Sequence, residues 1–110
     1  ALDARSLVAD NSWNAGIVLG PETRPPTLGP MTGSLSRNGD FLDKGLSSDV
    51  LGDPLNAIAW MDAHLRTRGQ VLLPGQWIMT GSIVTTKFAE PGDFFHFELG
   101  ELPAVELHID

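Results

Sequence analysis

The longest patterned stretch of the chain, residues 51–84, opens as a helix and closes as an apolar strand. Leu55, Ile58, Met61 and Leu65 recur at the three- and four-residue steps of one helical face. The flanks agree with the period. Asp53 suits the N-cap, Pro54 the first helical position, and Gly69 the left-handed residue that ends a helix. Arg66 and Arg68 put positive charge at the negative end of the helix dipole. The pattern predicts a helix over 54–68 whose apolar stripe lies on a sheet. Asp62 falls beside that stripe, either as an acid at the edge of the packed face or as a buried acid facing a site. After a turn at Leu73-Pro74-Gly75, Gln76-Trp77-Ile78-Met79 reads as a strand, interrupted at Thr80-Gly81-Ser82 and continued over 83–88.

The remainder reads as β-rich. Residues 1–14 begin without any start signal, which suggests a cut or processed chain. Residues 15–20 form a short apolar run between glycines, predicting a buried strand, and the prolines of 21–30 predict a loop. Residues 31–37 and 40–44 flank Asn38-Gly39, the strongest two-residue hairpin signal. A polar connection over 45–52, with a short turn at Ser47-Ser48-Asp49, leads to the helix. Glu90-Pro91-Gly92-Asp93 is a turn before a strand over 94–99. Val105, Leu107 and Ile109 then alternate with Glu106, His108 and Asp110 as a half-buried strand.

Composition narrows the class of protein. With 110 residues, 42% of them hydrophobic, the chain is one domain or part of one. The net charge of −7, from 14 acids against 7 bases, leaves no basic patch interleaved with aromatics, so a nucleic-acid partner is not expected. Having no cysteine excludes disulfides, thiolate metal sites and cysteine nucleophiles, and fits a cytoplasmic location. No stretch approaches the roughly 18 apolar residues of a membrane helix, so no membrane partner is expected.

Several clusters could carry chemistry. Asp10-Asn11-Ser12 reads either as a turn bonding its own backbone or as a polar pocket wall. Thr80-Gly81-Ser82 carries the same two readings, since small hydroxyl side chains and bare backbone suit close approach to a ligand. Trp13 stands beside the first cluster and could line a pocket, whereas Trp60 and Trp77 read as packing residues. His96 and His108, with Glu98 and Glu106, would share one face if their strands paired, as a metal site or as a solvated face; no His-x-x-x-His spacing supports the former. Ser82, His64 and an acid could be assembled into a triad on paper, but no Gly-x-Ser-x-Gly elbow accompanies them. Gly-rich phosphate loops are absent from the sequence.

The order of these pieces carries more information than any one of them. Val8-Ala9-Asp10-Asn11, Asn38-Gly39, Leu51-Gly52-Asp53-Pro54-Leu55-Asn56-Ala57-Ile58-Ala59-Trp60, Pro74-Gly75, Met79-Thr80-Gly81-Ser82 and Pro91-Gly92-Asp93 follow one another in sequence. That succession, over essentially the whole chain, resembles the C-terminal part of the 2-keto-4-pentenoate hydratase / 4-oxalocrotonate decarboxylase family, within the fumarylacetoacetate hydrolase-like superfamily. The resemblance implies a divalent-metal enzyme of aromatic catabolism. Magnesium or manganese would chelate the 2-keto acid end of the substrate and stabilise the developing enolate. The family's metal ligands, and its lysine and aspartate for proton transfer, would all lie upstream of this chain. Asp10, Asn11 and Ser12 would sit at the mouth of the pocket and Thr80, Gly81 and Ser82 on its wall, bonding substrate rather than metal. Two departures are visible: many members carry serine where this chain has Trp13, and Gly45-Leu46-Ser47 stands where members often read Gly-x-Gly.

The expectation is therefore an α+β fragment, residues 1–110 being the C-terminal part of one catalytic domain: a β-rich, mixed, partly closed sheet with the 54–68 helix packed on it. Its function would be that of a hydratase acting on a 2-hydroxypenta-2,4-dienoate-type acid, inactive as a fragment. A 4-oxalocrotonate-type decarboxylase or an acylpyruvate hydrolase is the enzymatic rival, and a non-catalytic β-rich assembly domain the rival of another class. Partners would be the 2-keto acid, the missing N-terminal half or a partner subunit, and further copies in a homo-oligomer.

Overall fold

A computed structural model of the chain describes residues 3–11, 14–24 and 29–110. A short helix α1 (Ala4–Ala9) precedes β1 (Thr32–Arg37) and β2 (Asp40–Leu46). A single 3-10 turn (Ser47–Asp49) leads into α2 (Pro54–Thr67), followed by β3 (Phe94–Leu99) and β4 (Val105–His108). The four strands form one sheet in the order β2-β1-β3-β4, with antiparallel pairing throughout. The expected mixed sheet is thus an antiparallel one among the described residues. The β1–β2 and β3–β4 connections are too short for a parallel crossover, and the excursion over 47–93, although long enough for one, returns β3 antiparallel to β1.

Local chemistry explains each boundary. Asn38 and Gly39 take φ values of 53° and 85°, as a two-residue turn requires. The Asn38 side chain does more than turn the chain. Its Oδ1 accepts from the Phe94 N–H at 2.8 Å, its Nδ2 donates to Asp93 Oδ1 at 2.9 Å, and its own N–H donates to the Phe94 carbonyl at 2.8 Å. These bonds lock the hairpin tip to the start of β3, and hydrogen bonding holds the Asp93 carboxyl below its ordinary range. α2 is capped as its sequence predicts: Asp53 Oδ1 accepts from the Leu55 N–H at 2.8 Å, and Gly69 follows with φ 71°. Asp62 is paired to Arg66 at 2.9 Å along the helix surface, so it does not face a site. α1 was not expected; Asp3, accepting from the Ser6 N–H at 2.8 Å, is its start signal.

The two faces of the sheet differ. Leu35, Phe95, Phe97, Leu99, Val105 and Leu107 share one face by register, together with Asp43 and Gly45 of β2. The 81–89 segment crosses this face without joining the ladder. Ile83 presses so close to Gly45 that a Cβ there would stand 2.1 Å from the Ile83 carbonyl oxygen. The other face is polar. There His96 Nε2 lies 3.0 Å from Glu98 and its Nδ1 3.1 Å from Glu106, while His108 stacks on Phe94 at 4.4 Å.

Three expected elements differ from the structure. Residues 15–20, 76–79 and 83–88 join no ladder, the chain bending at Ile83 and Val84, and Trp77 and Phe88 are 69% and 83% exposed. An apolar run becomes a buried strand only where another chain segment receives its hydrogen bonds, and the described residues provide none. Likewise α2 makes no extensive contact with any strand. Its stripe of Ile58, Met61 and Leu65 is half-buried, and Leu55 is 44% exposed. Val50, 7% exposed, is the one buried hydrophobic side chain among the described residues, and it is not fully buried. The radius of gyration, 15.5 Å, exceeds the about 13 Å of a compact domain of this size.

Two outcomes follow. Gly45→Ala should lose about 1–3 kcal/mol in urea unfolding because the Ile83 backbone must move, whereas Gly16→Ala, with nothing within 4 Å, should be nearly neutral; equal effects would show that 81–89 does not cross this face. The carboxylates of Glu98 and Glu106 raise the His96 pKa, since only the imidazolium donates from both nitrogens. Stability from these bonds is therefore fully present below about pH 6.5 and lost as pH rises through the raised value. Melts of wild type and His96→Gln across that range should diverge at acid pH and converge at alkaline pH.

Candidate functional site

The unpacked side of α2 faces an open cleft of about 1340 Å³. One wall is the helix stripe at Met61 and Leu65. A second is the segment after α1, from Asn11 and Asn14 to Ile17, and a third runs from Leu72 through Gln76, Trp77 and Ile78 to Gly81 and Ser82. Lys87 and Leu107 close its inner end. The same Ser82, Lys87 and Leu107 also line a smaller apolar pocket of about 360 Å³ above Leu35, Phe95 and Phe97.

Some of the residues expected in a site meet here. Asn11, with φ 51°, and Gly81 and Ser82 stand on walls of the one cleft. Asp10 is instead the C-cap of α1, its N–H donating to the carbonyls of Ser6 and Val8, and its side chain is exposed. Thr80 is half-buried off the cleft wall. Ser12 and Trp13 lie outside the described residues. Gly81 also has a packing reason: at φ 132° it passes the buried Val50, whose Cγ1 would be 3.1 Å from any Cβ added there.

Other arrangements weighed from the sequence do not assemble. His64 stacks on Trp60 at 4.9 Å, on α2 and off the cleft that Ser82 lines, so no triad forms. His96, Glu98 and Glu106 do gather on one face, but both imidazole nitrogens already meet carboxylates. Among the described residues no group of three or more histidines or acids is arranged to hold a metal ion. The donor set for a divalent cation does not fit this segment, and no step is assigned to one here. No helix among the described residues is long and apolar enough to cross a membrane.

Lys87 is the site residue that sequence reasoning missed. Its Nζ donates to Asp43 Oδ2 at 2.7 Å and to Thr85 Oγ1. Asp43 Oδ2 also accepts from the Thr85 hydroxyl at 3.0 Å and its N–H at 3.2 Å. These donors, Lys87 foremost, hold the Asp43 carboxyl well below the carboxylate range. The ion pair is partly shielded, with the two side chains 21% and 26% exposed. It ties the 81–89 segment to β2.

No family model matches the chain. Curated proteins do. The chain is 32% identical over 101 residues to the 2-oxo-hept-4-ene-1,7-dioate hydratase of Escherichia coli, covering 89% of this chain and 38% of that enzyme. It is 29% identical over 106 residues to a 2-keto-4-pentenoate hydratase of Paraburkholderia xenovorans, covering 94% of this chain and 39% of the relative. Among solved structures, 4-oxalocrotonate decarboxylase from Pseudomonas putida G7, complexed with magnesium and adipate, superposes with a TM-score of 0.69 and 29% identity, over 73% of this chain and 30% of that one. This chain thus spans under two fifths of the curated relatives it matches and, over that segment, is homologous to the enzymes of the 2-keto-4-pentenoate hydratase / 4-oxalocrotonate decarboxylase family.

Proposed function

We propose that residues 1–110 are the C-terminal part of one catalytic domain of the fumarylacetoacetate hydrolase-like fold. The complete enzyme hydrates a 2-hydroxypenta-2,4-dienoate-type acid in aromatic catabolism. The observation that carries this reading is the match to hydratases over nine tenths of the chain, with Asn11, Gly81 and Ser82 on one cleft. In it the cleft is the wall of the substrate site. Asn11, Gly81 and Ser82 supply hydrogen bonds to substrate from the cleft, Asp10, Ser12 and Thr80 complete the set once the rest of the domain is in place, and magnesium or manganese is held by residues outside this chain. The exposed apolar side chains of Trp60, Leu73 and Phe88, which do not line the cleft, are the surfaces on which the rest of the domain, or a partner subunit, packs. A cytoplasmic homo-oligomer is the working form. One observation favours a second reading: the superposed structure is a decarboxylase, so decarboxylation of a 4-oxalocrotonate-type acid is the closest rival reaction.

The test supplies the chain with the remainder of a hydratase-length polypeptide. The chain alone should show no change in Tm with magnesium or manganese and oxalate, whereas the completed protein should show one and should hydrate a 2-hydroxydienoate. Turnover of an acylpyruvate alone would sink the hydratase reading in favour of a hydrolase, and release of carbon dioxide would favour the decarboxylase. In an active complex, Ser82→Ala and Asn11→Gly, the latter keeping the positive φ, should each lower kcat/KM roughly tenfold, the cost of one lost hydrogen bond to a charged group. A completed, folded complex that turns over none of these acids would leave the assembly-domain reading.

A further inference from the structure

Two apolar runs that join no ladder, residues 15–20 and 83–88, border the same pocket of about 360 Å³ over the apolar face of the sheet. Ile83 stands over β1 and β2, at Gly33 and Gly45, and Gly20 stands over Val105 of β4, whose Cγ2 would be 2.9 Å from a Cβ added there. Two to three strand spacings, roughly 10–14 Å, therefore separate the runs, an interval that one extended chain fits. Leu35, Phe95, Phe97 and Val105 form the floor of the gap, and Val18 and Val84 come from the runs beside it. The charged residues at its border are engaged elsewhere, Lys87 by Asp43 and Glu106 by His96, so the gap suits an apolar occupant. Among the described residues no backbone hydrogen bond reaches residues 15–20, and on 83–88 only the Thr85 N–H and the Phe88 carbonyl are taken, both by side chains. Each run thus keeps a row of backbone donors and acceptors beside an apolar gap, as the edge of a sheet does.

We propose that one extended strand with apolar side chains inserts between residues 15–20 and 83–88, pairs with both through its backbone, and closes a second β layer over the sheet. The strand comes from the roughly three fifths of a hydratase-length polypeptide that this chain does not span. A second copy is a poorer source, because its own 15–20 and 83–88 runs are already laid against its sheet. This rests on the reading of the chain as part of one catalytic domain, and not on the reaction assigned to that domain. Covered on both faces, the two runs become the buried strands that their composition predicts.

The test compares amide hydrogen exchange, residue by residue, in this chain and in the completed hydratase-length polypeptide. Amides of 15–20 and 83–88 should exchange quickly in the chain alone and at least about a hundredfold more slowly in the completed protein. Val84→Lys, which puts a charge in the gap, should leave the Tm of the chain alone nearly unchanged and abolish the slowing at 15–20. Exchange at both runs as fast in the completed, folded protein as in the chain alone overturns the proposal. So does slowing in the chain alone that grows with its concentration, the sign of a second copy. Benzene reaching the Val18 and Val84 methyls in the completed protein would overturn it too, since the gap would then be a pocket left open for a ligand. Slowed exchange in a protein that turns over no dienoate supports the inserted strand and removes the hydratase reading, whereas turnover with fast exchange at both runs removes the strand alone. An indole signal of Trp60 unmoved by completion removes the single-domain reading, and the strand with it.

Discussion

The junction between Asn38 and the Asp93-Phe94 pair sets the register on which the described fold depends. Asn38 turns the hairpin and also bonds, through side chain and backbone, to residues 55 and 56 positions away. Once that junction is made, β1 can pair with β3 in one register, and β4 follows beside β3 through the bonds of Gly92 and Ile109. A slip of one residue would exchange Phe95 and Phe97 for His96 and Glu98 on the face crossed by Ile83. The apolar face, the path of 81–89 and the position of Lys87 all follow from that register.

The motifs by which the family is recognised prove to be largely architectural. Asp53 caps α2, Asn56 donates from Nδ2 to the Leu51 carbonyl at 2.8 Å, and Pro91-Gly92-Asp93 builds the turn that receives Asn38. Gly81 lets the chain pass Val50. Such residues report how the chain folds, which enzymes of differing chemistry can share. That is why the relatives here include both hydratases and a decarboxylase.

How much was legible beforehand depended on the range of the interaction. The Asn38-Gly39 hairpin, the caps of α2, the strand over 94–99 and the alternation in β4 are written within a few residues, and the structure contains each of them. Residues 15–20 and 76–88 carry the apolar character of strands, but a strand is a relation between two segments. Their composition could not say whether a partner was present. In the cleft, Asn11, Gly81 and Ser82 stood out as small polar or glycine positions beside apolar runs. Lys87 gave no such signal, because its contacts depend on Asp43, 44 residues earlier and on β2.

The excursion from the end of β2 to the start of β3 contains α2 and one long wall of the cleft, yet both of its ends lie in the same sheet. Along its length it is tethered to the sheet through Ile83, which crowds Gly45, and through Thr85, Lys87 and Phe88, which bond to Asp43 and Arg37. Lengthening a loop between fixed ends is thermodynamically cheap, about 0.6 kcal/mol for each doubling. The architecture is therefore modular in an evolutionary sense. Insertions, deletions and changes of side chain can remodel the wall of the cleft while the ladder that holds its two ends goes undisturbed, and the shape of the cleft can drift faster than the fold.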